Sequence, residues 1–442
     1  MKKHSSRFSA LLAVSTALFC LPVHKSSALE FRSWLTIDGK IIEAELIRPL
    51  GDSVELRDKD GRVLKYSKAQ LSFGDLDYIN ENAPEEKGPK ALGSSSAVKP
   101  KTPNPAKEVK IDTKEFKKEA GDFKINSRTY RICETPHFKV MYLKPTDPMG
   151  IAELAERLWI DTAFFHSTFI PKWHDRKMAI VLVNDQEGYE DVGDWYADML
   201  VAAGNKDGAE RTRKTWPQSA AGGVRMPQAQ ADEHKIFGGI QVFRANRIPV
   251  TIDQNGKKTE GKPVPIKGVW VPFNTNVLAA DILEVQTGSG GAASTDGVFA
   301  IIKGHAYYKE ILLTGKSETS MLRTEGSGKD VASSGGFQSD KSWAPELKKM
   351  MKKGGEWTPR LRELMVTKPN DAKTKEIVFA WSFARFLQKS TEYLTCFNKL
   401  CQKMDVASQV PDLEEIAKIY GFADAAALEK AWIDWMNSGE FH

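Results

Sequence analysis

Apolar and polar residues alternate over short runs through IIEAELIRPLGDSVELRDKDGRVLKYSKAQLS, residues 41–72, and Asp60-Gly61 supplies a tight turn between Val54-Glu55-Leu56 and Val63-Leu64-Lys65-Tyr66. A period of two is that of a half-buried strand, so the stretch predicts a meander of short strands. Leu71 to Ile79 then reads as a capping turn and a short helix. Farther on, Phe138, Val140 and Tyr142 alternate with polar neighbours in TPHFKVMYL, predicting another strand. Leu154, Leu158, Ala163, Phe165 and Phe169 recur at helical spacing through residues 151–170, and Ala179 to Val183 is a continuous apolar run. Strand, helix, strand at this spacing predicts a sheet backed by a helix, an α+β arrangement. GGIQVF (238–243) and GVWVPF (268–273) predict further strands, with DQNGKKTEGK as a solvated turn between them. The rest of residues 190–295 is broken by Gly, Ala and Pro and carries no clear period.

FAIIKGHAYYKEILLTG, residues 299–315, has the strongest helical pattern. Phe299, Ile301, Ile302, His305, Tyr308, Ile311 and Leu312 form one stripe at three-to-four spacing, and Gly315 is placed as the C-terminal stop. His305 therefore points inward or into a cleft. A lone His on such a stripe is more often a satisfied core residue than a ligand. Tyr307 and Tyr308 read as packing residues, and most of the tryptophans (among them Trp159, Trp343, Trp381, Trp432 and Trp435) fall at helix positions suited to burial.

Charge changes the picture at the N-terminus. Lys2, Lys3 and Arg7 precede an almost wholly apolar run, Phe8 to Val23, and Ser26-Ser27-Ala28 offers small residues for cleavage. Residues 1–28 thus read as a secretory signal peptide, cut near Ala28, because bulky Phe19 before Cys20 disfavours lipid attachment. Of the formal net charge of +5, four charges (Lys2, Lys3, Arg7, Lys25) lie in that segment, leaving about +1 for the mature chain. No general affinity for nucleic acid or anionic membrane follows from that balance. No later stretch has the ~20 apolar residues of a membrane span. Cys133, Cys396 and Cys401 remain, an odd number without a bridging pattern. The expected location is exported, periplasmic or extracellular.

Residues 83–110 are rich in Pro, Ser, Lys and Gly, the composition of a disordered linker. They separate a small domain, residues 30–82, from a large one, residues 111–442. The small domain opens on Phe31-Arg32-Ser33-Trp34, continues through the strand GDSVEL and the hairpin DGRV, and ends on L-S and D-x-x-Y-I. This pattern resembles Sla homology domain one, a small Src-homology-three-like β-barrel. Fold likeness alone favours a docking or spacing role over peptide binding.

The large domain resembles the gluzincin metallopeptidases. The resemblance rests on TPHFKVMYL, KMAIVLVNDQEGY, the helix of residues 299–315, SMLRTEGSG, EWTPRLRELM, EIVFAWSFARFLQK and IAKIYGFADAAALEKAWIDWM in that order. It implies a zincin-like domain with a mixed sheet and a largely helical C-terminal half. Such enzymes carry H-E-x-x-H on a helix, two His binding zinc and the Glu acting as base, with a Glu on a later helix completing the ligands. Here the register gives His305-Ala306-Tyr307-Tyr308-Lys309, and the likeness makes Glu325 the counterpart of the later ligand. One ligand is present while the base and the second ligand are not, and loss of a general base alone removes ~10²–10⁴ in rate.

Lys309, four residues after His305, shares its helix face, so its ammonium can fill the space of a zinc ion and pair with Glu325. His305, Lys309 and Glu325 are therefore expected to form a relic cleft, with no catalytic residue, no metal and no cofactor. The corresponding function is an exported, non-catalytic pseudopeptidase that binds a polypeptide or a cell-envelope component. The alternative is an active zinc peptidase with an irregular ligand set, His305 and Glu325 joined by a residue such as His234. No G-x-S-x-G elbow, phosphate loop, dinucleotide fingerprint or C-x-x-C pair offers another enzyme class; TGSGGAASTDG (287–297) reads as a surface loop.

Overall fold

The structure, a computed structural model, describes residues 31–83, 109–165, 173–218, 221–244, 246–247, 250–252, 258–260, 264–265, 272–287, 295–319, 337, 340–369 and 371–442. The signal peptide, most of the linker reading, and Glu325 fall outside these residues. The fold is α+β, with an antiparallel four-stranded sheet and a mixed six-stranded sheet.

The small sheet runs β1 (Arg32–Leu35), β2 (Ile41–Leu50), β3 (Ser53–Asp58) and β4 (Val63–Ser67) in sequence order. Its alternation buries Trp34, Ile42, Ala44, Leu46, Val54 and Leu56 on one side. Gly61, at φ +79°, makes the β3–β4 turn, in the left-handed region that favours glycine. The expected barrel does not close. Four strands are too few to wrap round, their ends meet only through a single bridge between Thr36 and Leu71, and α1 (Phe73–Asn82), capped by Ser72, follows directly. The residues of the sequence pattern hold this unit together: the Arg32 guanidinium lies 4.8 Å over Trp34 and 4.3 Å over Tyr78, and its Nη2 donates to Asp75 Oδ1 at 2.8 Å. Asp75 also accepts from the Leu35 amide at 2.9 Å and the Ser72 hydroxyl at 2.6 Å.

The large sheet is ordered β5-β6-β7-β8-β10-β9, comprising β5 (Lys117–Ile125), β6 (Arg128–Glu134), β7 (Phe138–Tyr142), β8 (Lys177–Val183), β9 (Ala221–Arg225) and β10 (Ile236–Arg244). β7, β8 and β10 are parallel, while β9 runs antiparallel to β10 at one edge. Both faces are covered, which is why β8 reads as an unbroken apolar run. Val140, Tyr142, Met178, Ile180 and Leu182 face a core shared with α2 (Met149–Phe165). Met141, Ala179, Val181 and Val183 face a smaller core with Tyr189 and Val192 of α3 (Gln186–Ala202) and with Trp216, which follows α4 (Lys206–Thr215). Glu156 of α2 ties down the β6–β7 turn, accepting from Thr135 Oγ1 at 2.6 Å and the His137 amide at 2.9 Å while His137 stacks on Trp159.

Between β9 and β10 lies α5 (Gln228–Glu233), and after β10 come two short ribbons, β11 (Asn246–Arg247) with β14 (Val264–Pro265) and β12 (Val250–Ile252) with β13 (Lys258–Glu260). The helical half follows: α6 (Pro272–Gln286), a π-helical turn over Phe299–Lys303 running into α7 (Gly304–Thr314), then α8 (Asp340–Lys353), α9 (Leu361–Val366), α10 (Thr374–Phe386), α11 (Thr391–Ala407), α12 (Leu413–Ile419) and α13 (Ala425–Asn437). Residues 268–271 of the expected strand GVWVPF lie outside the described residues, and Pro272 and Phe273 begin α6, where proline's fixed φ suits a first helical turn. α7 is the central helix, packed against α6 and α10, and it ends as expected at Gly315 in the left-handed conformation. Among the described residues no helix is long and apolar enough to cross a membrane.

The small unit, which has its own apolar cluster, docks on the main core. Phe73 of α1 stacks on Phe165 at 5.4 Å and meets Phe164 edge-on at 5.8 Å, and Leu35 and Phe73 join the main apolar cluster. Asn398 of α11 donates to Asp77 of α1 at 3.3 Å across the same seam.

Candidate functional site

The helix that the sequence singles out is buried on nearly every side. Of the expected stripe, Phe299, Ile301, Ile302, His305 and Ile311 are buried while Tyr308 and Leu312 are only half-buried, and Ala306, Tyr307, Lys309 and Glu310 are buried too. His305 stacks on Phe397 of α11 with ring centres 5.7 Å apart, and its Nδ1 lies 3.4 Å from Gln388 Nε2. Lys309 points inward, 3% exposed, and its Nζ sits 2.6 Å from Asp161 Oδ2 of α2 and 4.8 Å over the Phe165 ring. Glu310 accepts from Asn276 Nδ2, Ser317 Oγ, the amides of Glu318 and Thr319, and Thr319 Oγ1, pinning the segment after Gly315 back onto the helix. Burial pushes its carboxyl up to about 7 against the pull of these donors.

These surroundings do not fit a catalytic zinc, which takes three protein ligands and an open position. Lys309 already supplies the positive charge beside Asp161. His234 stacks edge-on against Phe123 of the smaller core, on the other face of the large sheet from α7. Among the described residues no group of three or more His, Cys, Asp and Glu is placed to hold a metal ion.

A solvent-open cleft of about 550 Å³ lies elsewhere, between the β9–β10 edge and α6. Its sheet wall carries Arg225, Phe237 and Gln241 with two glycines between them. Gly223 of β9 pairs with Gln241, and Gly239 of β10 pairs with Arg225. Neither glycine has a positive φ, so backbone conformation does not require them. A Cβ on Gly239 would meet nothing within 4 Å, and one on Gly223 only Gln241 Nε2 at 3.7 Å. Glycines within a strand with open space above them leave room for another backbone to approach. Gly222 has a different reason: the Trp216 ring would lie 2.2 Å from a Cβ there. Among the described residues no strand pairs with the outer edge of β9.

The helical wall carries the charge. Asp281 and Glu284, three apart on α6, line the cleft, and Arg225 stands at the end of β9. Lys303, last residue of the π turn, reaches Glu284 Oε1 at 3.2 Å. Asp281 accepts from the Gln241 side chain, but its Oδ2 is buried without a hydrogen-bond partner. Burial raises the Asp281 carboxyl to about 7, with Lys303 and Gln241 opposing and Glu284 reinforcing. A second groove, about 970 Å³, is lined by Met365, Val366, Val406 and Val410, and its rim charges Lys403 and Glu415 pair at 2.7 Å.

Sequence reasoning did not find Asp161, Asp281, Glu284 or Lys303. For α6 the available signal was NVLAADILEVQ, with two carboxylates one turn apart between Leu278 and Val285. Compared with known proteins, the chain matches no family model, no curated protein and no solved structure.

Proposed function

We propose that this chain is an exported, non-catalytic protein whose large domain is an inactivated gluzincin-like scaffold, and that it binds an extended polypeptide from a cell-envelope partner in the cleft between β9–β10 and α6. The observation carrying this reading is the pair of glycines, Gly223 and Gly239, that leave gaps between the side chains of the cleft's sheet wall, beside a strand edge that no described strand covers. An extended chain laid there adds a strand to β9 through main-chain hydrogen bonds.

The helix with His305-Ala306-Tyr307-Tyr308-Lys309 in the place of H-E-x-x-H is buried, and its Lys309 is paired with Asp161, which supports the loss of a metal site there. On the helix that borders the cleft, the carboxylate of Glu284 is answered by Lys303.

The test substitutes the two glycines. Gly223→Leu and Gly239→Leu project side chains into open space, so the melting temperature is expected to hold while binding of extended peptides is lost. Unchanged peptide binding in both variants overturns the cleft reading. Stoichiometric zinc in the purified protein at micromolar free zinc, or chelator-sensitive proteolysis, overturns the non-catalytic one.

A further inference from the structure

We propose that Asp281 is a cation subsite, which takes the ammonium or guanidinium of a lysine or arginine side chain on the polypeptide bound in the cleft. The inference rests on the cleft reading above and names what that cleft selects. Three observations carry it. Asp281 lines the cleft; Gln241 donates to its carboxylate, while its Oδ2 is buried with no protein hydrogen-bond partner. Lys303 sits 3.2 Å from Glu284 Oε1 and acts on Asp281 only through its field, so of the two acids on the helical wall Asp281 has no direct ion pair. On the sheet wall Gln241 reaches Asp281, while Gly223 and Gly239 leave space beside it through which a bound strand can send a long side chain to α6.

The charged and titratable groups around Asp281 set the sign of the pH effect. Glu284 on the same helix disfavours its ionisation, Lys303 favours it, and Gln241 of β10 donates to it. Arg225 of β9 and Tyr196 of α3 line the cleft farther round. With the carboxyl near 7 in the empty cleft, a bound cation must draw its proton off. Affinity for a basic peptide is therefore highest above neutrality and falls as pH drops below about 7. Norleucine and citrulline keep the length of lysine and arginine without the charge, and they isolate the effect.

The experiment uses the full chain and fluorescent extended peptides that differ at one position: Lys, Arg, norleucine, citrulline or Glu. Lys and Arg peptides are expected to bind about tenfold to a hundredfold more tightly than norleucine and citrulline peptides at pH 8, the range of a charged hydrogen bond. Asp281→Asn is expected to erase that difference. In the unaltered chain the preference shrinks at pH 5.5, a readout that stands even where the variant folds poorly. Equal binding of all five peptides, preference for the Glu peptide, or a preference that survives Asp281→Asn overturns the subsite and leaves the cleft reading intact. Failure of every peptide to bind a folded chain overturns both.

Discussion

The pair of Lys309 and Asp161 shows what a buried charge requires. Both are almost fully excluded from water, and each compensates the other at 2.6 Å. Removing one partner leaves an unmatched charge, so Lys309→Met or Asp161→Leu alone is expected to cost about 3–5 kcal/mol in urea unfolding. The double substitution is expected to recover most of that loss, since an apolar pair of similar volume is often neutral. Additive losses would show that the two residues act separately. That Lys309 lies inside was legible, because it shares the stripe side of a helix marked by Phe299, Ile301 and His305. Its partner was not, because Asp161 belongs to another helix and nothing in local spacing links them. Asp281 and Glu310 add a pH effect of definite sign. Burial raises both carboxyls to about 7, so the folded chain holds protons that an unfolded chain releases above about pH 4. The stability contributed by protonation is present at low pH and is lost as pH rises towards 7. Asp281→Asn, neutral at every pH, is expected to flatten part of the melting-temperature profile across that range; an unaltered slope would show that Asp281 ionises normally.

At the scale of elements, the approach of α7 to α10 depends on one missing side chain. A Cβ on Gly304 would lie 2.5 Å from the Ala380 carbonyl oxygen, which belongs to backbone and cannot swing away. Gly304→Ala is expected to destabilise the chain by about 1–3 kcal/mol despite alanine's better helix propensity, as measured by urea unfolding. A gain in stability would mean that the helices separate without cost. The same crowding explains why some elements were legible and others were not. β2 and β3 each have one wetter and one dry side and announce themselves by alternation. α6 is buried at Leu278, Ala279, Ala280, Ile282 and Leu283, so its pattern lacks a clear polar face and its helical period is blurred. The cleft could not be read from spacing at all. It arises from β9 folding back as an antiparallel edge, a matter of strand order.

On the scale of the whole molecule, the small unit keeps its own apolar cluster and joins the main core through Leu35 and Phe73. Phe73 is 6% exposed and lies against Phe164 and Phe165 of α2. Phe73→Ala is expected to cost about 3–5 kcal/mol and to lower the single melting transition of the chain. A variant in which only the small sheet melts early would show that the two units fold independently. The α+β class was legible from periodicity, whereas the docking was not, because Leu35 and Phe73 look like ordinary members of a small domain's own interior. This seam also constrains how the chain can change. Phe73 rests on the last turn of α2, and the neighbouring ring, Phe165, also lies beneath the Lys309 ammonium. A swap of the N-terminal unit for a foreign one would therefore alter the setting of a buried charge in the other half, so the two halves must be inherited, and engineered, as a matched set.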